Sequence, residues 1–505
     1  MGARSSRMPW HWWGRAPEEP GASAGNEEAE EAVVAEREEG NESEEARPAA
    51  RKRSRKRKTG PGGPLTKEPR RKRAKDHSGS IYEALFLRGE GSDVRICALG
   101  EEWNLHRVYL CQSGFFASMF CGAWRETNMD TIELQMPDEN IDREALHEAL
   151  GSLYRGSILI PPGRVIAILA TASMLQLDEL IQRCGQVMKE TVSAQTVCSY
   201  YYSAESYGLQ TIRTMCVQWL LDNMMTLCSE GLLREVSLDL MKEVVASSRL
   251  FVMGVEMNVY IMLKMWMFLQ LQPTWRGPRS ALLPDTNSWF ARSRRDLEGT
   301  PFLETEQGRA FMPVFQQLRL AYIMCDPMSA HVIQQDALIP PSWLCRLYSE
   351  HCLGPLRAEQ TRIVRPMGVY VSDPQGRSMR CGSQLHRDEL CSWRWEGFKF
   401  FWDLVLRYTN QRIICRCSAR KKYRSFGVSL LGRRKVAFRL RLFSLDRDGR
   451  AVFRKDTEYQ MLSLRQNQEL EVMNLENQDV VFPIYVACNF LYLQRGERFP
   501  GHLPL

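Results

Sequence analysis

The stretch from Ser92 to Glu126 changes from a strand pattern to a helix pattern, and no other feature constrains the fold of this chain as strongly. Apolar residues alternate with polar ones on both sides of Gly100; they are Val94, Ile96, Ala98, Trp103 and Leu105. Such alternation around a glycine predicts a β-hairpin. From Val108 to Phe120 the apolar spacing predicts two short helices joined near Ser113 and Gly114.

The residues that follow extend this hairpin into an α+β unit over residues 81–190. Thr131 to Met136 alternates as a third strand, and helices are predicted over Asp142–Leu153 and Pro162–Leu175. Asp142 is a suitable N-cap, and Pro162 fits the first turn of a helix, where a backbone N–H is not needed. Few strands and many helices in one segment indicate the α+β class.

This unit resembles a BTB/POZ domain over its whole length. The resemblance is carried by SDVRICALGEEWNLHRVYLCQSGFFASMF, ALGSLYRGSILI and ATASMLQLDELIQRC, which occur in the family's order. It implies a domain that forms homodimers and, in a subset of the family, binds the N-terminal region of cullin-3 through a hydrophobic-x-Glu motif after the FASMF helix. Trp124 and Glu126 match that motif, and Phe120 and Tyr154 are the further residues expected at the cullin contact.

Alternatives for these residues stay open. Trp124 either fills a partner pocket, as aromatic anchors that dominate binding energy do, or packs on its own domain with Glu126 as ordinary surface. The resemblance implies that Asp93, His106 and Arg107 are structural or line a charged pocket at the dimer interface. Because the chain contains no P-loop, GxSxG or HExxH motif, we expect neither enzyme activity nor a cofactor.

Residues 1–80 are rich in Gly, Pro, Ser, Glu, Arg and Lys, so a disordered tail is expected. Ten glutamates and one arginine lie between Glu27 and Glu45, after which the charge reverses into two basic clusters separated by Thr59–Pro69. Two such clusters have the form of a bipartite nuclear localisation signal. Their basic residues are Arg51, Lys52, Arg53, Arg55, Lys56, Arg57, Lys58, Arg70, Arg71, Lys72, Arg73 and Lys75.

A solvated charge run and a non-specific phosphate binder are the alternatives for these clusters. No direct contact with nucleic acid is expected, because interleaved aromatic residues and a folded reader are both missing from the segment. The opening residues, MGARSS, also match the acceptor pattern for N-myristoylation at Gly2. An acyl chain and a polybasic block together supply the two signals for stable attachment, here to the inner nuclear membrane as a peripheral protein.

The composition of the whole chain indicates an intracellular protein. The net charge is only +7 because the acidic and basic runs offset each other. The 15 cysteines follow no regular disulfide spacing, and the longest apolar stretch, near Ile261–Leu269, is interrupted by Lys264. A secreted or membrane-spanning protein is therefore not expected, and the thiols are expected to be mostly free.

Residues 191–273 show apolar spacing of three and four almost throughout, which predicts an all-α bundle with breaks near Gly208 and Gly231. Placed directly after the BTB-like unit, this segment resembles a BACK domain, the helical bundle of cullin-3 substrate adaptors. The resemblance implies that its first helices extend the cullin contact. It also implies that the bundle sets the distance between cullin and the substrate domain.

The C-terminal half divides into a linker and helical region, residues 274–378, and a β-rich domain, residues 379–505. In the first, helices are predicted over Phe311–Tyr322 and Ser342–Tyr348. In the second, Asp448-Gly449 joins two alternating runs into a hairpin, and the strands together suggest an antiparallel sandwich. They are predicted at Phe400–Tyr408, Arg412–Cys417, Val436–Leu442, Ala451–Arg454, Tyr459–Leu464, Glu469–Met473 and Val480–Leu493. Pro483 predicts that the last of them starts at an edge or bulge.

Other features of the β-rich domain exclude two familiar interpretations. No repeat of about 50 residues with paired glycines occurs, which argues against a kelch propeller. Four cysteines and one histidine invite a zinc interpretation; they are Cys381, Cys391, Cys415, Cys417 and His386. Their spacing does not match compact ligand pairs, so buried free thiols and no metal are expected. Core packing rather than a ligand cage is expected for Trp393, Trp395 and Trp402.

The complete arrangement resembles the germ cell-less family: a basic tail, BTB, BACK, and a non-kelch region containing RCGSQL, CSWRWEGFKF and VAFRLRLFSLDRDG. Over about Ser80 to Leu493 the resemblance implies a substrate adaptor of a cullin-3 ubiquitin ligase in the nucleus, nuclear matrix or nuclear envelope, active in germ-cell development or spermatogenesis. It also implies self-association, a protein substrate on the C-terminal domain, and contacts with lamina-associated proteins and a DP-type transcription-factor subunit. The alternative is a BTB scaffold or transcriptional co-regulator at the nuclear envelope without a ligase role.

Overall fold

A computed structural model of the chain describes residues 4–5, 81–121, 125–156, 158–297, 299–324, 327–349, 369–370, 374–395, 402–419, 434–465, 467–493 and 497–498. All of these belong to one compact unit. The predicted disordered tail, apart from residues 4–5, lies outside the described residues. None of the described helices is both long and apolar enough to cross a bilayer.

The N-terminal folded part is built on a three-stranded sheet. Strand β1 (Val94–Ala98) pairs antiparallel with β2 (Glu101–Leu105) and parallel with β3 (Thr131–Glu133). The turn between β1 and β2 has positive φ angles at Leu99 and Gly100, which confirms the predicted hairpin. β3 ends at Glu133 rather than at the predicted Met136, because the chain approaches Pro137, which cannot donate to a sheet.

Helices surround this sheet, and the predicted break near Ser113 separates the first two. A π-helical segment, Tyr82–Leu87, precedes the sheet, and 3-10 turns lie at Arg125–Asn128 and Pro162–Arg164. The α-helices are α1 (Arg107–Leu110), α2 (Gly114–Cys121), α3 (Arg143–Ser152), α4 (Val165–Met174) and α5 (Asp178–Thr191).

The cap of α3 shows how the sequence fixes a local boundary. The Asp142 carboxylate accepts a hydrogen bond of 2.8 Å from the Ala145 backbone N–H, so the predicted N-cap is confirmed. Arg164 donates to the same carboxylate at 2.7 Å and holds the pKa of Asp142 below its ordinary value. A single aspartate therefore joins α3 to the start of α4.

A helical bundle follows, as predicted. Its helices are α6 (Val197–Ser206), α7 (Gln210–Asn223), α8 (Glu230–Glu235), α9 (Leu238–Ala246), α10 (Glu256–Leu271), α11 (Arg279–Asp296), α12 (Glu306–Arg309), α13 (Met312–Phe315), α14 (Leu320–Ile323), α15 (Pro327–Asp336) and a helix over 341–349. α10 is buried on nearly all sides, as expected of a helix that is apolar all round. Its one lysine, Lys264, is paired with Asp336 at 2.6 Å.

Two predictions for this region need correction. The proline- and arginine-rich connection after residue 273 is not an irregular linker but contains α11, because Leu282 and Phe290 pack in the core of the bundle. The single helix predicted over Phe311–Tyr322 is two short helices, α13 and α14. The backbone at Arg319 leaves the helical conformation between them, and its guanidinium donates to the Ser378 carbonyl oxygen.

The C-terminal part is an antiparallel sandwich of two sheets around a shared core, which confirms the predicted β class. Its strands are β4 (Met379–Leu385), β5 (Cys391–Trp395), β6 (Trp402–Thr409), β7 (Arg412–Ala419), β8 (Arg434–Leu445), β9 (Ala451–Asp456), β10 (Gln460–Leu464), β11 (Glu469–Asn474) and β12 (Ile484–Tyr492). β4 begins at Met379, where the pattern was predicted to change to strands, but no bounds were predicted for β4 or β5.

One sheet has the order β5-β6-β7-β11, and residues Arg4–Ser5 pair with β5 at its outer side. The other has the order β9-β8-β12-β4, with β10 also paired to β8. Residues Val369–Tyr370 and Glu497–Arg498 form a separate parallel pair. The predicted hairpin at Asp448-Gly449 is confirmed, and Gly449 has a φ of 80°.

The expectation that the last strand begins at an edge or bulge is wrong, because β12 is paired on both sides from Ile484 onward with no register shift. β12 starts at Ile484, after Pro483, and runs between β8 and β4 in the interior of its sheet. The proline lies outside the ladder, so it does not have to donate a hydrogen bond to it.

The helical bundle packs directly on one sheet of the sandwich. The Trp219 indole N–H donates to the Asp448 carbonyl at 3.0 Å, and the Asn223 amide donates to the Gly449 carbonyl at 2.8 Å. Gly254, before α10, forms a two-way backbone bridge with Gly382 of β4, with N···O distances of 2.9 and 3.2 Å. Bundle and sandwich are therefore joined by buried backbone and side-chain bonds.

Candidate interaction site

The predicted cullin motif lies between α2 and the 3-10 turn Arg125–Asn128. Trp124 is outside the described residues, and Glu126 is placed in the turn by its backbone alone. Phe120, in the last turn of α2, is half-buried. The described residues on either side of the motif are therefore the end of α2 and the 3-10 turn.

Arg107 ties this segment to the body of the domain. Its guanidinium donates to the Thr127 and Met129 carbonyl oxygens, both at 2.7 Å, and its central carbon lies 4.7 Å from the centre of the Phe120 ring. The Thr127 hydroxyl donates to the Met119 carbonyl at 3.1 Å. The chain on both sides of the motif is thus fixed, which lowers the entropy lost when a partner binds there.

The Asp93 side chain caps the first turn of α1 by bonding to its backbone. Its carboxylate accepts a 2.8 Å hydrogen bond from the Arg107 backbone N–H, which lies at the start of α1 beside His106. Among the described residues the two side chains of Asp93 and Arg107 form no ion pair. Asp93 is therefore a helix cap supplied from another part of the chain. The Arg107 guanidinium instead donates hydrogen bonds to the Thr127 and Met129 carbonyl oxygens.

His106 and Tyr154 form a buried hydrogen-bonded pair. The Tyr154 hydroxyl accepts from the His106 backbone N–H at 3.0 Å and lies 3.2 Å from Nδ1, while Nε2 is 3.0 Å from the Glu90 carbonyl oxygen. Tyr154 is 4% exposed and stacks on Tyr109 with ring centroids 4.4 Å apart. Burial raises the pKa of the Tyr154 phenol to about 12, so the hydroxyl stays protonated.

The expected contact residues therefore fall into two groups. Phe120 packs with Arg107 beside the motif, whereas Tyr154 packs with His106 and Tyr109 inside the domain. Sequence reasoning missed that Arg107 holds the 127–129 segment. No sequence signal could have shown it, since every residue carries a carbonyl acceptor and only the fold selects these two.

Replacing Tyr154 with phenylalanine is expected to lower the free energy of unfolding by about 1–3 kcal/mol, because the His106 N–H then stays buried without its acceptor. Urea denaturation of the two proteins measures the difference. Tyr109→Phe is the matched control, because the Tyr109 hydroxyl has no hydrogen-bond partner among the described residues, and should change stability by less than about 0.5 kcal/mol. Equal losses in both variants would contradict the role given to the Tyr154 hydroxyl.

The remaining predicted site residues lie elsewhere. The basic clusters at Arg51–Lys58 and Arg70–Lys75, and Gly2, are outside the described residues. Within the described ranges no group of three or more His, Cys, Asp or Glu side chains could hold a metal ion. Cys415 and Cys417 are buried in the sandwich core, and burial raises the pKa of the Cys417 thiol to about 11.

Trp393 and Trp395 are buried members of the sandwich core, as expected from the sequence. The side chain of Trp402 is outside the described residues. In register, Cys381 of β4 lies opposite Cys488 of β12, and both are buried. Such neutral thiols behave as small apolar residues.

Comparison with known proteins matches a BTB/POZ domain to residues 82–192. The chain is 52% identical to germ cell-less protein-like 1 of Mus musculus over 446 residues, 87% of this chain and 85% of the relative. Identity to the human protein of the same name is 52%, over 86% and 84% of the two chains. The chain belongs to the germ cell-less family. The Drosophila melanogaster protein germ cell-less is 33% identical over 465 residues, 87% of this chain and 81% of that protein.

The germ cell-less alignments extend well beyond the BTB/POZ domain. An aligned length of 446 residues must include much of the helical bundle and the sandwich, since the BTB/POZ match ends at residue 192. The germ cell-less family thus combines a BTB/POZ domain with a C-terminal region that here forms two packed sheets. This agrees with the expected non-kelch architecture.

Proposed function

We propose that this chain is the substrate-recognition subunit of a cullin-3 RING ubiquitin ligase. The observation that carries the proposal is that Arg107 holds the chain directly after the Trp124-x-Glu126 motif, by donating to the Thr127 and Met129 carbonyls. An aromatic residue and a carboxylate two positions apart suit a partner with an apolar pocket and a hydrogen-bond donor beside it. A BTB homodimer would then present two such motifs.

The helical bundle supports the same function in a second way. Its helices follow the BTB/POZ domain directly, where a BACK domain is expected, and they are bonded to the sandwich through buried contacts. An adaptor of this form holds a substrate at a set distance from cullin. The sandwich is the proposed substrate-binding part.

The cellular setting follows from the family and from the tail. The family name, and the basic residues of Arg51–Lys58 and Arg70–Lys75, support action at the nucleus, nuclear matrix or nuclear envelope in germ-cell development or spermatogenesis. Lamina-associated proteins and a DP-type transcription-factor subunit are the partners proposed there. Myristoylation of Gly2 would add a peripheral membrane contact.

Trp124→Ala combined with Glu126→Ala is expected to weaken cullin-3 binding by at least about 2 kcal/mol, roughly 30-fold, because it removes an aromatic anchor and its charged neighbour. Pull-down of the cullin-3 N-terminal region by purified full chain measures the effect. Leu159→Ala with Glu144→Ala is the matched control: it removes one large apolar and one acidic side chain, 89% and 80% exposed, from the same domain.

Three results are informative in this comparison. Loss of binding in the first variant alone supports the assigned contact. Equal recovery of cullin-3 by both variants would overturn the site. A wild-type chain that dimerises without retaining cullin-3 would overturn the ligase role and favour a BTB scaffold or transcriptional co-regulator at the nuclear envelope.

A further inference from the structure

The outer edge of β5 is paired with a distant part of the chain. One side of β5 is bonded to β6 in regular antiparallel register, from Cys391 opposite Tyr408 to Trp395 opposite Leu404. The other side takes residues Arg4–Ser5 in parallel, with Arg4 opposite Trp393 and Ser5 opposite Arg394. A short extended segment thus already occupies this edge by strand addition.

Three other sheet edges of the sandwich, those of β11, β9 and β4, carry features that usually prevent strand addition. The β11 edge has a register shift between Glu471 and Met473, and ion pairs with Arg407 and Arg412 surround its carboxylates. β9 also has a register shift against β8. β4 is bridged by the Gly254 backbone. Charges, bulges and coverage of this kind protect edge strands from pairing with other chains.

β5 lacks the register shift and the surrounding ion pairs of β11, and among the described residues its outer side is paired with Arg4–Ser5 alone. Its register against β6 contains no shift, and four of its five residues carry no charge; they are Cys391, Ser392, Trp393 and Trp395. Arg394 is occupied by a charge-assisted hydrogen bond of 2.7 Å to Asp403, which keeps that charge on the sandwich. Within the part of the chain that the structure describes, an extended peptide therefore meets neither a bulge nor a repelling charge as it approaches the β5 backbone.

We propose that the β5 edge receives an extended segment of a protein partner by strand addition, and that Arg4–Ser5 is an intramolecular competitor for this edge. The inference rests on the proposed function only in naming that partner as the ligase substrate. Main-chain hydrogen bonds supply the affinity in this mode, and alternate side chains supply the selectivity.

The short pairing with Arg4–Ser5 explains how the β5 edge can be covered in the free chain and still be available to a partner. Of the described residues, only Arg4 and Ser5 pair with this side of the five-residue strand, so a partner segment that pairs along its whole length forms more main-chain bonds with β5 and displaces them. The tethered segment acts at a high effective concentration, so it excludes weak, short competitors. Binding at the edge thus requires a long extended segment.

The test uses a fluorescein-labelled peptide of residues 1–8 as the probe and fluorescence anisotropy as the measurement. The chain lacking residues 1–8 is expected to bind it at least about tenfold more tightly than the full chain, whose own segment holds the edge. Full chain with Arg4→Pro and Ser5→Pro should bind like the truncated chain, since proline removes the N–H that a strand needs. This second variant guards against a folding defect from truncation.

Backbone methylation of the probe separates strand addition from side-chain recognition. Successive N–H groups of a strand point to opposite sides, so only one of the two peptides N-methylated at Arg4 or at Ser5 should lose binding. Equal binding of both, equal loss of both, or no probe binding to the truncated chain would overturn the edge site. Equal affinity of full and truncated chains would overturn the intramolecular competition.

Cullin-3 pull-down with the same truncated chain distinguishes this inference from the proposed function. Retained cullin-3 with no probe binding overturns the edge site alone. Probe binding without cullin-3 recovery by either chain overturns the ligase function and leaves the edge as a binding site for a partner other than a ligase substrate.

Discussion

Replacing Glu256 with alanine lowers the expected free energy of unfolding by about 3–5 kcal/mol, because the change leaves a buried guanidinium without its counter-charge. Glu256 is the first residue of α10 and is 0% exposed, and Arg380 of β4 is 1% exposed. Their side chains meet in a two-pronged arrangement, Nε to Oε1 and Nη2 to Oε2, each 2.9 Å. Paired forks of this type are among the stronger polar contacts in proteins.

The surroundings of the Glu256–Arg380 pair increase the loss of stability expected for Glu256→Ala. The remaining Arg380 nitrogen, Nη1, donates to the Val245 and Ser247 carbonyls at 2.6 and 2.9 Å, so the guanidinium cannot turn toward solvent. Arg319 lies 3.9 Å from the same carboxylate. Burial and then the neighbouring Arg380 lower the pKa of Arg319 to about 10, and removing Glu256 would leave two buried cations beside each other.

Urea denaturation followed by tryptophan fluorescence measures this change. Arg412→Ala is the matched control, because Arg412 forms ion pairs with Glu471 and Glu476 while about half exposed, and such pairs contribute less than about 1 kcal/mol. Glu256→Gln keeps the size and one acceptor and should fall between the two. A loss below about 1 kcal/mol for Glu256→Ala would show that the junction between bundle and sandwich is not held by this pair.

The junction has a consequence for the proposed adaptor. If the sandwich holds the substrate, a buried charge pair, a backbone bridge and a docked hairpin fix its orientation on the bundle. The distance between the bound substrate and cullin is then set by the fold rather than by a flexible linker. Variation in this distance would come from the substrate segment itself, as expected for an extended peptide added to β5.

Local elements of this fold could be predicted from the sequence because their causes are local. The hairpin at Gly100 follows from alternation, and the start of α3 follows from the hydrogen bond that the Asp142 carboxylate accepts from the backbone N–H three positions later. The family could be recognised because its sequence motifs occur in the expected order. The alternation, the helix cap and each motif depend only on residues that are close together in the sequence.

Strand β8 shows why contacts between distant parts of the chain could not be predicted from the sequence. Its sequence alternates apolar residues with Arg439 and Arg441, a pattern typical of a strand with one face in water. Both arginines are buried, because Arg439 pairs with Asp456 and Arg441 lies beneath the bundle, where it donates to the Arg249 carbonyl at 2.5 Å. Burial lowers the pKa of Arg441 to about 10. The partners are far away in sequence, so no periodicity reveals them.

The same reason limited the prediction of the candidate sites. The hydrophobic-x-Glu motif could be found from its phrase, but the bonds of Arg107 to the Thr127 and Met129 carbonyls could not. Arg4–Ser5 gave no strand signal, because two residues are too few to show alternation. Its pairing depends on an open edge that exists only once β5 has formed.

Gly382→Ala is expected to lower the free energy of unfolding by about 3 kcal/mol, because the added methyl group would enter a space closed by backbone atoms on two sides. A Cβ atom at this position would lie 2.7 Å from the Val252 and Val486 carbonyl oxygens and 2.8 Å from a ring carbon of Phe251. One carbonyl belongs to the bundle and the other to β12, so the methyl group can be accommodated only by moving the bundle away from the sandwich or β12 away from β4.

The matched control is Gly231→Ala in α8, where no atom lies within 4 Å of the added Cβ. Alanine is a better helix former, so this change should raise stability by about 0.5–1 kcal/mol. Thermal and urea denaturation of the two variants therefore move in opposite directions if the bundle and the sandwich touch at Gly382 as described. A Gly382→Ala variant as stable as the wild type would require a gap at this junction, and with it a sandwich free to turn on the bundle. The substrate-binding part would then be a flexible arm, and the fixed distance between substrate and cullin inferred for the adaptor would be lost.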